Sequence, residues 1–443
     1  MLHRGARSPG QRRGRVSDLP REIACVRACR LPGREGPVDL ALAGGRIARI
    51  SRHDPAAPAP AAALEARGRL VTPGFVESHI HLDKALLSER VTAPARSAAE
   101  AIRLVGEAKR RFTADDIRER ARRVLDLAVA AGTTAMRAHV EVDPIVGLAG
   151  MEAMLALRTE YAPALELQLC AFAQEGILQA PGTEGLLRRA LQMGADLVGG
   201  CPYNDTDAGQ HIDVVFRLAE AFGVDADFHV DFFDEPEHLH VRAVIEQTLR
   251  RGWHGRVAVG HLTELAALPA FEQDDIMAGL AEAAIGVICL PATDLYLMGR
   301  GDATSPRRGL TPVRRLLQAG VPVALASNNI RNPFTTVGTA DLAHMAFLAA
   351  VAAHMGTPDD LIALIDTVTT HPARIMRLQD RGLAAGGRAD LVLWECERAE
   401  DVVAALAPRA AVLKDGRLTV EHTRRVRDRW REGIVAPTAG ASG

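Results

Sequence analysis

The stretch Val71-Thr72-Pro73-Gly74-Phe75-Val76-Glu77-Ser78-His79-Ile80-His81-Leu82-Asp83-Lys84 sets the reading of the whole chain. An apolar, β-branched run ends in two histidines separated by one residue. In an extended strand, residues i and i+2 point to the same face, so His79 and His81 can aim two imidazoles at one metal ion. Parallel barrels keep their chemistry at the C-terminal ends of their strands, and this pair falls at such an end. The segment therefore predicts a metal site and a strand terminus together.

On either side of it the chain divides by its periodicities. Upstream, Val38-Asp39-Leu40-Ala41-Leu42 alternates, Gly44-Gly45 turns, and Arg46-Ile47-Ala48-Arg49-Ile50 alternates again, which is a hairpin signature. Similar β vocabulary returns in Ala389–Trp394 and in Ala410–Leu418 around Asp415-Gly416. The two chain ends are expected to meet in one small β-sandwich, residues 21–73 with 376–422. Between them, short apolar runs alternate with helical stretches such as Ala114–Ala131 and Glu184–Met193. The strand candidates are Thr134–Val140, Leu165–Phe172, Leu197–Gly199, Asp225–Val230, Val257–His261, Gly286–Leu290 and Val323–Ser327. With the His79 strand they make eight β/α units, which predicts a (β/α)8 TIM barrel over 74–375 in an α/β protein.

The 443 residues suit a barrel plus a smaller domain. A net charge of −2 gives no argument for nucleic acid or an anionic membrane surface; a small-molecule substrate is the partner expected from the motifs below, and homo-oligomer formation is left open. No apolar run approaches the ~20 residues of a membrane helix. The arginine-rich start (Arg4, Arg7, Arg12, Arg13, Arg15) lacks a following apolar region, so 1–20 is expected to be a disordered basic tail rather than a secretory signal, and 423–443 a C-terminal tail. Six scattered cysteines with no CxxC pair fit the reduced thiols of a cytoplasmic enzyme.

The polar residues at the predicted strand ends form a short series: His79 and His81, His139, Gln174, His229, His261, Thr293 with Asp294, and Asn328 with Asn329. One histidine at a strand end is ordinarily structural. Histidines at four such ends, one of them a His-x-His pair, point to a divalent metal, with Zn or Fe favoured by imidazole ligands.

These motifs, in this order and spacing, resemble the amidohydrolase superfamily, in particular its cytosine-deaminase-like branch, over about Ile23 to Leu418. The resemblance rests on Pro73–Asp83, Phe228-His229-Val230-Asp231, Gly260-His261-Leu262-Thr263, Ala173-Gln174-Glu175-Gly176-Ile177-Leu178, and Arg308–Val313 followed by Asn332-Pro333-Phe334. It implies a barrel flanked by a β-sandwich and one bound divalent metal whose hydroxide attacks an amidine- or amide-like carbon. His79, His81 and His229 are the implied metal ligands. His261 is implied to orient or deprotonate the nucleophile, and Gln174 to hold a ring edge.

Two departures stand out. The branch ends its eighth strand in an aspartate, and this chain has Asn328, whose amide can touch a metal or a water but cannot act as a base at neutral pH. Cytosine deaminases place a glutamate three residues after the fifth-strand histidine; this chain has Phe232, with Asp231, Asp234 and Glu235 nearby. Lys84 follows His81 by three, as in N-isopropylammelide isopropylaminohydrolases, and is expected to share the proton handling; an ion pair with Asp83 or another surface ion pair is the plainer reading. Asp294 is expected either to touch substrate or to cap a helix. His139 reads equally as a structural residue or a substrate contact. Asn204, Asp205 and His211 read as solvated turn residues or pocket lining, and His238, His240 and His254 as surface residues. The expected function is hydrolysis of a non-peptide carbon–nitrogen bond in a small cyclic amidine or amide, such as a pyrimidine or triazine. The alternative, prompted by Asn328 and Phe232, is a non-hydrolytic or metal-free descendant that uses the pocket for binding or lyase chemistry.

Overall fold

The computed structural model describes residues 21–92 and 95–427. The expected basic tail, 1–20, and most of the expected C-terminal tail, 428–443, lie outside the described residues.

Eight parallel strands line one sheet in sequence order: β1 (Phe75–Ile80), β2 (Thr133–Glu141), β3 (Glu166–Ala173), β4 (Leu197–Gly200), β5 (Asp225–Val230), β6 (Val257–His261), β7 (Gly286–Cys289) and β8 (Val323–Leu325). β1, β2, β4, β6, β7 and β8 are buried along their whole length. That is why none of them alternates apolar and exposed polar residues as a half-solvated strand does. The sheet closes into a barrel just past β8. There the Asn328 N–H donates to the His79 carbonyl (2.9 Å), and the His81 N–H donates to the Asn328 carbonyl (2.8 Å). Lower down, Thr367 and Val368 fill the seam, accepting from Leu325 N–H and Val76 N–H. The (β/α)8 barrel is as the sequence predicts, with strand bounds shifted by a residue or two.

The helices between strands carry the expected end signals. Thr113 caps Ala114–Ala130 by accepting from Asp116 N–H, and Thr357 makes a capping box with Asp360. The buried residues of Ala114–Ala130 (Ile117, Ala121, Val124, Leu125, Ala128) recur at helical spacing and pack on the barrel core.

Both chain ends contribute to the flanking β-structure. One sheet orders Arg21–Glu22, Arg417–Glu421, Arg409–Lys414, Leu391–Trp394 and Val71–Pro73; the other orders Arg46–Arg52, Val38–Ala43, Cys25–Cys29 and Ala63–Glu65. A separate apolar cluster, including Ile23, Leu40, Ile47, Leu391 and Leu413, draws residues from both. The two turns flagged in the sequence, Gly44-Gly45 and Asp415-Gly416, hold positive φ at both central residues, as a two-residue hairpin turn requires. Among the described residues no helix is long and apolar enough to cross a membrane, and the six cysteines are unpaired thiols.

Candidate active site

The ends of β1, β5 and β6 and the turn after β8 converge on the barrel axis. His79 is fully buried, and His81, His229 and His261 are at most 3% exposed. Candidate ligand atoms of His79, His81 and His229 lie within 4.8 Å of one another. The crowding depends on a glycine: a Cβ at Gly260 would stand 2.7 Å from His79 Cε1. Burial first, then neighbouring imidazoles and the Lys84 ammonium, drive the pKa of His79 and His81 well below the usual range, and burial with the surrounding imidazoles does the same for His229. All three are therefore neutral, the form that ligates metals. Both ring nitrogens of His79, Nδ1 of His81, Nε2 of His229 and Oδ1 of Asn328 are buried without a hydrogen-bond partner. Unsatisfied buried nitrogens are costly, and a divalent cation with imidazole preference fits this donor set.

Asn328 adopts positive φ (57°), which asparagine tolerates better than most residues. Its backbone closes the barrel while its side chain stays uncommitted. Beneath it Glu77 is buried and accepts from His79 N–H (3.1 Å) and Ser327 N–H (3.0 Å). Burial pushes its carboxyl up to about 7, against those hydrogen bonds.

His261 donates through Nδ1 to Asp294 Oδ1 at 2.8 Å. An ionised carboxylate can only accept, so with Asp294 ionised the hydrogen of this bond sits on Nδ1. Asp294 has no exposed surface, and burial raises its pKa despite the His261 bond. Its side chain thus meets His261 and the Leu290 N–H rather than an open pocket. The Phe232 ring lies against His261 with centroids 3.7 Å apart. The carboxylates near it are all engaged elsewhere: Asp231 accepts from His240 N–H (2.7 Å) and Val241 N–H (3.1 Å), Asp234 from Gly299 N–H (2.8 Å), and Glu235 pairs with Arg307 (2.7 Å).

Lys84 is 1% exposed. Its ammonium pairs with Glu141 Oε1 (2.7 Å), donates to Gln174 Oε1 (3.2 Å) and faces the Phe334 ring at 4.6 Å. The simple Lys84–Asp83 ion pair does not form; Asp83 instead accepts the backbone N–H groups of Lys84 and Glu141. The Gln174 amide donates to Cys201 Sγ (3.3 Å). Lys84 and Gln174 are thus brought together, and Asn329 is tied through Asn332 to the Lys84 carbonyl.

His139 stacks on His79 with centroids 4.0 Å apart, and its Nε2 stands 3.2 Å from Asp227, which also pairs with Arg137 (2.9 Å). Asp205 and His211 are not solvated turn residues. Their side chains are fully buried and paired at 2.8 Å, and Asp205 also accepts the backbone N–H groups of Ile177, Leu178 and Gln179, pinning the loop that follows Gln174. His238 and His254 are exposed and His240 partly so.

Sequence reasoning missed Glu77, Glu141, Asp227 and Phe334. Glu141 had a usable signal: it follows His139 by two on one strand and so shares its face. Glu77 shares the face of His79 by the same rule.

Three comparisons bear on this arrangement. A pterin deaminase from Rhizobium rhizogenes is 32% identical over 401 residues, covering 87% of this chain and 89% of the relative. The crystal structure of 5-methylcytosine deaminase from Klebsiella pneumoniae liganded with 5-fluorocytosine superposes with a TM-score of 0.86 at 30% identity, covering 91% of this chain and 99% of that one. N-isopropylammelide isopropylaminohydrolase from Burkholderia multivorans gives a TM-score of 0.78 at 29% identity, covering 90% and 98%. Residues 62–435 match the sequence profile of the amidohydrolase family, and with the barrel and its histidine centre in place, the chain belongs to that family.

Proposed function

We propose that the protein hydrolyses a carbon–nitrogen bond of a small cyclic amidine or amide, releasing ammonia or an amine, on a pyrimidine-, pterin- or triazine-like ring. The observation that carries this reading is the set of buried, neutral, unpartnered imidazoles at His79, His81 and His229, with Lys84, Gln174 and His261 beside them. The deaminases and aminohydrolase similar to this chain support the same reaction class. His79, His81 and His229, with the Asn328 carbonyl, would hold one divalent ion, Zn or Fe. When bound, such an ion lowers the pKa of water and polarises an sp2 carbon–heteroatom bond.

The remaining chemistry falls to named side chains. His261, fixed by Asp294 with Nε2 free, accepts the proton that water gives up on attacking the ring carbon. Lys84, paired with Glu141, delivers a proton to the leaving nitrogen, so that the carbon–oxygen bond forms as the carbon–nitrogen bond breaks. Gln174 turns its amide toward the ring edge, and Phe232 and Phe334 supply flat apolar walls in place of a second carboxylate. Asn328 accepts no proton, which leaves His261 as the base.

The test is metal quantification on the purified protein together with a screen of cytosines, pterins and N-alkylammelides, following ammonia or alkylamine release. Stoichiometric Zn or Fe with turnover of one class supports the proposal. Protein that binds no divalent ion and turns over none of them overturns it in favour of the metal-free reading that Asn328 and Phe232 prompt.

A further inference from the structure

The side chains assigned to the reaction are all sealed. His79, His81, His229, His261, Lys84, Gln174 and Asn328 are each at most 3% exposed. A substrate cannot reach them unless some covering element moves. The cover is an apolar cluster that includes Phe232, which lies on His261, and Phe334, which lies on Lys84. The helix Ala98–Lys109 completes it, burying Ala98, Ala101 and Val105 in the same cluster. Two of those three buried contacts are alanines, and Ile102 and Leu104 of the same helix pack against the cluster only partly buried.

Its last residue adds a charged anchor to these apolar contacts. Lys109 is 1% exposed, and its ammonium meets Glu141 Oε2 (2.5 Å), Asp143 Oδ2 (2.8 Å) and Glu175 Oε1 (2.9 Å). Burial alone would discharge it; the three carboxylates outweigh burial and raise its pKa. The other charged pairs of this helix, Arg103 with Glu100 and Glu107, stay within it. Glu141 is shared: Oε1 holds Lys84 and Oε2 holds Lys109. Glu175 is the direct neighbour of Gln174. Lys109 thus touches, at one remove, both polar groups that face the ring.

We propose that Ala98–Lys109 is a lid over the active site and that Lys109 is its latch, a positioning residue that seats Glu141, and through it Lys84, only when the lid is shut. The catalytic half of this rests on the assignment of Lys84 above; the lid half does not. With the latch out, Glu141, Asp143 and Glu175 face one another without their shared cation, so the open form is a minor state that substrate entry passes through.

Hydrogen exchange read by mass spectrometry on the full-length, metal-loaded protein tests the lid. In the wild type, amides of 98–109 are expected to exchange by local opening at least about tenfold faster than those of β5 and β6. Exchange of all three together would overturn the lid. Lys109→Met should speed exchange in 98–109 by a further factor of about ten, and Lys109→Arg should restore much of the protection. Lys109→Met exchange within twofold of wild type would overturn the latch. Against the substrate found in the screen, Lys109→Met should lower kcat by about a hundredfold with little change in KM, Lys109→Arg recovering part of it; an unchanged kcat would overturn the positioning role. A wild-type protein that shows the exchange pattern but turns over no cyclic amidine would instead sink the assignment of Lys84, leaving the lid intact.

Discussion

Glu141→Gln tests the buried charge network most directly. In the folded protein burial opposes the Glu141 carboxylate, but Lys109 and Lys84 outweigh it and hold the pKa down to about 2, from an ordinary 4.5. That drop corresponds to about 3 kcal/mol of stability at neutral pH. The sign follows from the direction. A carboxyl whose folded pKa is depressed contributes above its unfolded value, near pH 4.5, and loses that contribution as pH falls toward 2. Removing one partner of a buried pair costs a comparable ~3–5 kcal/mol, because an uncompensated charge stays behind. Here the stranded charge is mainly Lys84, which would keep only the Gln174 carbonyl (3.2 Å), whereas Lys109 retains Asp143 and Glu175. The assay is urea unfolding at pH 7 of wild type, Glu141→Gln, Lys84→Met and the double variant. Glu141→Gln alone should lose about 3 kcal/mol, and its cost in the Lys84→Met background should fall to about half or less. The gap between wild type and Glu141→Gln should also narrow as the pH is lowered from 5 to 3. A loss under about 1 kcal/mol, or equal losses in both backgrounds, would refute the reasoning.

Other outcomes follow from the same geometry. Asn328→Asp adds a charge beside the three imidazoles and should slow metal loss to a chelator by about tenfold or more, measured as metal content over time; an unchanged rate would place Asn328 outside the metal's reach. Gly260→Ala drives a methyl against His79 and should abolish metal stoichiometry while far-ultraviolet circular dichroism stays that of a folded barrel. Asp294→Asn frees His261 to take the other tautomer and should cut kcat by about a hundredfold or more without a matching rise in KM; a pure KM effect would instead make Asp294 a substrate contact. Phe232→Glu restores a carboxylate next to His261, and a gain in turnover of unsubstituted cytosine would show that its absence sets the choice of substrate.

The barrel, its strand order and the histidine centre were legible because they rest on local patterns. Fully buried parallel strands read as apolar runs, and His-x-His in a strand has one geometric consequence. What stayed hidden depends on partners far apart in sequence. Lys84 and Glu141 are 57 residues apart, and His261 and Asp294 are 33 apart. Nothing local distinguishes a carboxylate that holds a catalytic base from one that caps a helix, so Asp294 remained ambiguous. Asp205 and His211 looked like turn residues for the same reason: their spacing fits a solvated loop, and only packing buries them. Asp231, Asp234 and Glu235 stood close enough in sequence to replace a missing glutamate, yet the backbone turns each toward a different N–H or arginine.

By itself, then, the sequence determined the fold class, the family resemblance and the histidines that gather at the strand ends, because periodicity and motif order survive without coordinates. Only the tertiary structure decided which groups pair, which stand unpartnered and what covers them. Charge, burial and hydrogen bonding are properties of the space between side chains: barrel closure brings Asn328 to His79, and the fold brings Glu141 to both Lys84 and Lys109.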